Sequence, residues 1–531
     1  MADESLIGGA WLAQEHEIKL AHPLAVVSMI GGRRTSRTTD GTTTEVYVQS
    51  MRPEPTLRGH LTFHLKHETP NLELISRLFA AVDATVLTEW IDSEPNGQYA
   101  RRAGFLFEFL TGQELPVKQL PSGAYVDALD SDLVVTASNP MVTPHKRWLV
   151  RDNMPGTRHF CPLVRKTPGV RSAMALDIRA LLHSLEVEFG QDLLMRSAAW
   201  MTLRESKSSF LIEGEADKSD RVGRFADVLA RRTGQGDSQI DEVSLASLQS
   251  EILGRSTLQK FGLRQSPVFV GQTTRYQEIV HYIAPPPEDL APMLEGLQTF
   301  VERTKGQSSA MRCAVAAFGF VYIHPLADGN GRVHRFLIND ILRRDGAVQE
   351  PMILPISSRI TRDPAERRAY DSILDEVSKS LMQTLAGQYG FTIMAKKYAD
   401  GVSSNFEYRG GDSARHAWRY LDLSAHVRYM STVLERTILQ DMVEESVYLR
   451  RHALARAAIK DIIEMPDVQI DRVIRSIENN QAKLSNVLAK EIPALLEEGV
   501  WQAITAGVAE AFGDASVQVE APGNEESAPR G

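Results

Sequence analysis

Between two helical stretches the chain reads His324-Pro325-Leu326-Ala327-Asp328-Gly329-Asn330-Gly331-Arg332-Val333-His334-Arg335. A histidine takes a proton near neutral pH, so His324 is a candidate general base. Four residues on, Asp328 offers hard carboxylate oxygens suited to Mg²⁺. Gly329 and Gly331 flank Asn330 and leave the backbone bare, so its amides can approach a phosphate closely. They also open a helix, whose N-terminus favours an anion. Arg332 and Arg335 stand three apart, hence on one helix face, where both guanidinium forks reach phosphate oxygens. Base, metal ligand, anion cradle and two phosphate-binding arginines form an inventory for chemistry at a phosphate.

This segment closely resembles the signature of the Fic family, histidine-proline-phenylalanine-x-(acid)-Gly-Asn-Gly-Arg-x-x-Arg. It departs at Leu326, where phenylalanine is usual. That position is expected to pack inward, so the change should loosen packing more than alter chemistry. By resemblance, His324 deprotonates a Ser, Thr or Tyr hydroxyl of a protein substrate, and Asp328 holds Mg²⁺ between the α- and β-phosphates of ATP. Asn330 and the amides around Gly329 and Gly331 bind the α-phosphate, and Arg332 and Arg335 bind the outer phosphates. The implied activity is a protein adenylyltransferase: AMP moves to the hydroxyl and pyrophosphate leaves. The chain's own hydroxyls are among the targets this allows, and Fic proteins often form dimers. Removal of AMP, or transfer of another nucleotide or of phosphocholine, is the alternative reading of the same site. A regulatory or DNA-binding protein with a vestigial core is the further one, against which the intact His324, Asp328, Asn330 and Arg335 argue.

A second element lies upstream, Ser208-Ser209-Phe210-Leu211-Ile212-Glu213-Gly214-Glu215. Alone it is a helix end with Gly214 as its C-cap. Beside the core motif it is similar to the Fic inhibitory pattern, (Ser/Thr)-x-x-x-Glu-(Gly/Asn), at Ser209, Glu213 and Gly214. The implied subclass inhibits in cis through a preceding helix, with Glu213 pairing with Arg335 in the place of the γ-phosphate. In some relatives the same glutamate instead supports removal of AMP. A short strand-like stretch, Arg264 to Val270 followed by Gly271, runs toward Pro285-Pro286-Pro287. In Fic proteins this is where a hairpin flap stands. Val268, Phe269, Val270 and Gly271 would hold a target segment edge-on through main-chain hydrogen bonds. The resemblance spans about residues 190–390.

The elements that must position these groups are mainly helical. From Ser172 the chain shows helical periodicity at Met174–Phe189, Leu193–Leu211, Phe225–Arg232 and Glu242–Leu253. Helices are expected at about 288–304, after three prolines, and at 309–322 and 331–344. Before them, Val26–Ile30 and Glu45–Gln49 look like strands separated by a polar turn from Gly31 to Thr44. Leu61–Lys66 alternates like another strand, and Asn71–Glu89 has helical spacing. The Pro-containing stretch Arg151–Arg171 reads as a linker or long loop. The fold class is therefore mainly α: a multi-helix Fic core with a short β-hairpin flap, an N-terminal α+β region and a C-terminal helical domain. The expected divisions are 1–150, 151–255 with the inhibitory helix, 256–400 as the catalytic core, 401–512 as C-terminal helices and 513–531 as a disordered tail.

Composition bounds the rest. A chain of 531 residues suggests several domains, and 43% hydrophobic with 24% charged residues is globular composition. A net charge of −9 gives no overall pull toward nucleic acid or anionic membrane. Two cysteines, Cys161 and Cys313, far apart, exclude a disulfide framework. The acidic N-terminus lacks a secretory pattern, and the longest apolar stretch, Cys313–Ile323, is too short to cross a bilayer and reads as a buried helix. A soluble, cytoplasmic protein is expected. His60, His64 and His67 cluster without a nearby cysteine, and structural histidines are the simpler reading. The group Arg33, Arg34 and Arg37 reads as a solvated turn. Met465–Val487 has the outline of a helix-turn-helix, which keeps DNA binding by the C-terminal region open; core packing or protein interaction is the plainer reading.

Overall fold

The computed structural model describes residues 5–39, 41–215, 219–237, 240–254, 260–273 and 278–513. The polar tail expected to be disordered lies, beyond Gly513, outside the described residues. The fold is mainly α, with small sheets. It divides into two compact units, one of residues 1–181 and 199–437, the other of 182–198 and 438–531.

The first unit opens with a four-stranded sheet in the order Ser5–Ile7, Val26–Gly31, Thr42–Val48, Thr35–Thr39. Its central pair is parallel, with Val26 opposite Thr43, and both outer pairs are antiparallel. The expected polar turn from Gly31 to Thr44 is thus corrected, because Thr35–Thr39 is an exposed edge strand. Its β-branched threonines favour extended backbone, and the reversal is confined to the neighbourhood of Gly41, at φ 81°. Arg37 lies on that strand. Arg34 pairs with Glu45 at 2.5 Å and stacks 3.8 Å over Tyr47, so this is not a merely solvated group.

The strand expected at Leu61–Lys66 is a helix, Leu57–His67. Leu57, His60, Leu61, His64 and Leu65 are all buried, at the i, i+3, i+4, i+7, i+8 spacing of one helical face. Counting the histidines as polar hides that period. His60 stacks on Trp11 at 3.8 Å and accepts from Gly8 N, and burial pushes its pKa down to about 4. His64 accepts from Asn71 N on Nε2 and meets Glu68 Oε2 at 2.5 Å through Nδ1. Both act as core hydrogen-bonding residues. Asn71–Glu89 is two helices, Leu72–Ala81 and Ala84–Ser93, because Asp83 caps the second by accepting from Thr85 N.

Arg151–Arg171 is not an open linker. Met154, Phe160, Cys161 and Val164 are fully buried. Cys161 N and Leu163 N donate to Arg419 O and Leu421 O, both at 2.8 Å. Its prolines prevent a regular strand, while its apolar residues still belong to the core. Pro168 then begins the helix Pro168–Met174.

The centre of the unit is the helix Ser309–Ile323, whose residues from Ala310 to Phe320 are all buried. Helices Pro287–Arg303, Asn330–Arg344 and Ser424–Arg436 pack around it. A two-stranded ribbon, Tyr389–Lys397 with Ser403–Tyr408, has no counterpart among the sequence expectations.

The second unit packs Ala455, Ile459, Ile470, Val473, Ile474, Ile504 and Val508 into its own core. Its helix Asp467–Asn479 follows Pro466, as the sequence suggests, and the next helix, Asn486–Glu491, has six residues. Basic residues here are paired within the unit: Arg456 with Asp471, Lys460 with Asp467 and Arg472 with Glu491. Among the described residues no helix is long and apolar enough to cross a membrane.

Candidate active site

The helix Ser309–Ile323 stops at His324, which adopts the left-handed conformation at φ 49° and ψ 55° while its amide still donates to Phe320 O. A non-glycine residue there is strained by about 1–2 kcal/mol, so the surroundings must hold it. They do so through Arg264, a fully buried arginine whose Nε donates to His324 O at 2.8 Å. The same guanidinium donates to Ser266 O and Pro285 O. Pro325 O accepts from Arg264 N, and Leu326 bridges to Leu263. Leu326 is fully buried, in line with an inward-packing position.

His324 Nδ1 lies 3.2 Å from Val321 O, which makes it the protonated nitrogen and leaves Nε2 with a lone pair. Burial, reinforced by the Arg264 charge, pushes the ring's pKa down to about 4. The imidazole is therefore neutral at neutral pH, the form a general base needs.

The loop from Pro325 closes when Asn330 Oδ1 accepts from Leu326 N and its Nδ2 donates to Leu326 O at 2.7 Å. Asn330 thus clamps the loop that presents the amides. Gly329 caps the helix Asn330–Arg344 at φ 94°, a conformation that favours glycine. At its first turn the site already holds an anion. Glu213 Oε1 accepts from Arg335 Nη2 at 2.7 Å and from Nη1 at 2.9 Å. A Cβ on Gly331 would collide with that same carboxylate oxygen. The bare backbone of Gly331 makes room for an anion at the helix N-terminus, where dipole and amides favour one.

Glu213 follows the helix Gln191–Ile212, and Gly214 turns the chain at φ 72°. Ser209 is fully buried on that helix. One turn earlier Glu205 is also fully buried; it accepts from Ser357 N at 2.6 Å and from Ser357 Oγ at 2.5 Å. Burial pushes its pKa up to about 7. Glu205 and Ser209 stand four apart and share a face of that helix, so Glu205 anchors the helix from whose end Glu213 follows. Beyond Gly214, Glu215 Oε2 accepts from Arg332 Nη1 at 2.9 Å, and Arg332 Nη2 donates to Asp328 Oδ1 at 2.8 Å.

Asp328 is partly exposed, and Gln249 donates to its carbonyl. Among the described residues no three His, Cys, Asp or Glu side chains gather to hold a metal. One hard carboxylate beside a phosphate cradle still fits Mg²⁺, which commonly takes one or two carboxylates and completes its shell with phosphates and waters. Arg332 Nε and Arg335 Nε are buried without a hydrogen-bond partner.

Phe269–Thr273 and Glu278–Ile283 form an antiparallel hairpin with a bulge between Val270 and Gly271. A Cβ on Gly271 would strike Ile279 O across the hairpin. Phe269 packs on Phe391 and Phe406 of the following ribbon, while Val270 is 41% exposed. Val268 O accepts from Ala284 N at the hairpin's base. Asp400 fastens that base by accepting from Gln265 N, Ser266 N and Ser266 Oγ.

The sequence brings out the motif residues but not their supports. Arg264, Asp400, Gln249 and Glu205 carry no local signal, since each acts through partners far along the chain. Glu215 received no role from the sequence, where its one local signal is that it is an acid two residues past Glu213.

Residues 239–342 match the family model described as Fic/DOC family. Protein adenylyltransferase fic-1 of Caenorhabditis briggsae is 26% identical over 250 residues, 44% of this chain and 46% of that protein. Protein adenylyltransferase fic-1 of Caenorhabditis elegans is 31% identical over 123 residues, 22% of each. Protein adenylyltransferase Fic of Drosophila ananassae is 33% identical over 96 residues, 18% of this chain and 19% of that one. The matches span less than half the length of these relatives. A crystal structure of a Fic family protein from Desulfovibrio desulfuricans G20 aligns with TM-score 0.36 at 16% identity, over 65% of this chain and 84% of that one. The segment that matches the Fic/DOC family model, residues 239–342, is the one that holds the motif from His324 to Arg335.

Proposed function

We propose that the chain is a protein adenylyltransferase that transfers AMP from ATP to a Ser, Thr or Tyr hydroxyl, restrained in cis by Glu213. The observation that carries this reading is the Glu213 carboxylate against Gly331 and on Arg335, an anion built into an anion site that also lies in a His-to-Arg motif with a neutral histidine.

In the released site the amides of the Gly329–Gly331 turn and the guanidinium of Arg335 orient the triphosphate of ATP. His324 Nε2 takes the proton of the attacking hydroxyl while the oxygen bonds to the α-phosphorus and the α–β bridge breaks, releasing pyrophosphate. Positioning and preorganised charge supply most of the acceleration, with about 10²–10⁴-fold from the base. Mg²⁺ held by Asp328 and phosphate oxygens would supply charge neutralisation on the leaving pyrophosphate. The hairpin at Phe269–Ile283 presents strand edges to the target segment. With Glu213 on Arg335, the outer phosphates lose their ligand and the α-phosphorus is not held in line.

The reading is tested by incubating Glu213→Gly with Mg²⁺ and each of ATP, GTP, CTP and UTP, labelled at the α-phosphate. Mass spectrometry should find AMP on hydroxyl side chains, with ATP the preferred donor. Preference for another nucleotide would replace the adenylyl assignment. Loss of AMP from a modified protein, with no transfer, would replace the direction of the reaction.

A further inference from the structure

The motif's first arginine is not poised for phosphate. Arg332 is 3% exposed and is gripped from two sides, by Asp328 Oδ1 at 2.8 Å and by Glu215 Oε2 at 2.9 Å. Its guanidinium also lies 5.0 Å over the ring of Phe210, a fully buried residue of the helix that ends before Glu213. Glu215 meets Arg221 as well, at 3.5 Å. Arg335, one helical turn on, is held by Glu213 alone among the described carboxylates. The turn Glu213-Gly214-Glu215 therefore places one carboxylate on each motif arginine, and Gly214 at φ 72° lets both side chains face the same helix.

We infer that Glu215 is a second inhibitory carboxylate, which holds Arg332 away from the outer phosphates of ATP independently of Glu213. The inference rests on the transferase reading for its biological meaning, and on the Arg332 geometry for its substance. Two of the guanidinium's five N–H groups are engaged by carboxylates whose charges offset its own, which weakens its pull on a third anion, and Nε is left without a hydrogen-bond partner. The tie also reaches Asp328: the carboxylate suited to Mg²⁺ is engaged by the arginine that Glu215 steadies. Freeing Arg332 from Glu215 lets it turn toward a polyphosphate, and among the described carboxylates Asp328 is then the one left to compete for it.

The test measures binding of ATP, and separately of adenosine, by calorimetry in wild type, Glu215→Gln, Glu213→Gly and the double variant, each checked for an unchanged melting temperature. Glu215→Ala serves as a second variant should Glu215→Gln melt early. ATP affinity should rise about tenfold in Glu215→Gln, the scale of one charge-assisted hydrogen bond released. The gain should recur on top of Glu213→Gly, while adenosine affinity stays level. Unchanged ATP affinity in both backgrounds, or an equal gain for adenosine, would overturn the inference. If ATP tightens as stated but no variant transfers label, the transferase reading falls and the role of Glu215 at the phosphate site stands.

Discussion

Glu213 Oε1 lies 2.7 Å from Arg335 Nη2, in the space that a side chain at position 331 would need. One relationship thus explains a glycine and an arginine one helical turn apart and a glutamate 122 residues before that arginine. The glycine opens the cradle, the arginine supplies its charge, and the glutamate fills it from a helix that ends just before it.

Sharing of one space has a direct consequence for Gly331→Ala. The added methyl should expel the Glu213 carboxylate, yet it also fills the cradle. ATP affinity should fall, and transfer should stay at or below the wild-type level, although the Glu213–Arg335 pair is broken. Calorimetry with a transfer assay checks this. Activation by Gly331→Ala would separate the carboxylate's place from the phosphate's.

Glu205 ties the helix that ends before Glu213 to Ser357, and on the proposed reading it steadies the restraint. Glu205→Ala leaves Ser357 N and Oγ without their buried acceptor, at roughly 1–3 kcal/mol for each unpaired group. The melting temperature should drop, and transfer by the otherwise wild-type chain should rise several-fold as the helix loosens. Glu205→Gln keeps an acceptor and should restore both values. Because the folded-state pKa of Glu205 is raised to about 7 from 4.5, the native chain keeps a proton that the unfolded chain gives up. Stability should therefore decline as pH rises from about 4.5 through 7, and that slope should flatten in Glu205→Gln.

On the proposed reading, the pH profile of Glu213→Gly reports on His324. Its folded-state pKa of about 4 keeps the base neutral well below 6.5. The kcat/KM of Glu213→Gly should stay level through pH 6.5 and fall only as the pH approaches that lower value. An acid limb centred near 6.5 would mean that the His324 ring is not held below the ordinary imidazole value. For stability the sign is opposite to that of Glu205: between 6.5 and about 4 the unfolded chain binds the proton and the native one does not, so acid destabilises the fold.

Arg264 should matter to both stability and rate. Arg264→Met removes the donor from the carbonyls of His324, Ser266 and Pro285 together, which should destabilise the chain by roughly 3 kcal/mol or more in a urea titration. Surviving folded protein should transfer more slowly, because the left-handed His324 loses its tether. A normal melting curve with normal transfer would show that Arg264 holds neither.

What was legible in the sequence divides by range. His324 to Arg335 could be read because each role there depends on residue type and on spacing within a few turns. The helices Ser309–Ile323 and Asn330–Arg344 were legible for the same reason, as long apolar periods ending at glycines or histidine. The helix Leu57–His67 was hidden because two of the five residues on its inner face, His60 and His64, are histidines. The edge strand Thr35–Thr39 was hidden because its residues are polar on both sides. The grip of Arg264 on His324, and of Glu205 on Ser357, spans 60 and 152 residues, and no local pattern encodes such a pairing. The inhibitory pair was reachable only through resemblance, since an isolated Glu-Gly after a helix means no more than a helix end.

On the proposed reading, Glu213 restrains an adenylyltransferase whose base is His324. Wild type, Glu213→Gly and Glu213→Gly combined with His324→Ala would each be incubated with Mg²⁺ and ATP labelled at the α-phosphate, alone and with a cell lysate. Label on protein should rise at least about tenfold in Glu213→Gly, the release of a charge-assisted contact, and vanish in the combined variant. Equal labelling by wild type and Glu213→Gly would contradict the brake, and labelling that survives without His324 would contradict the base.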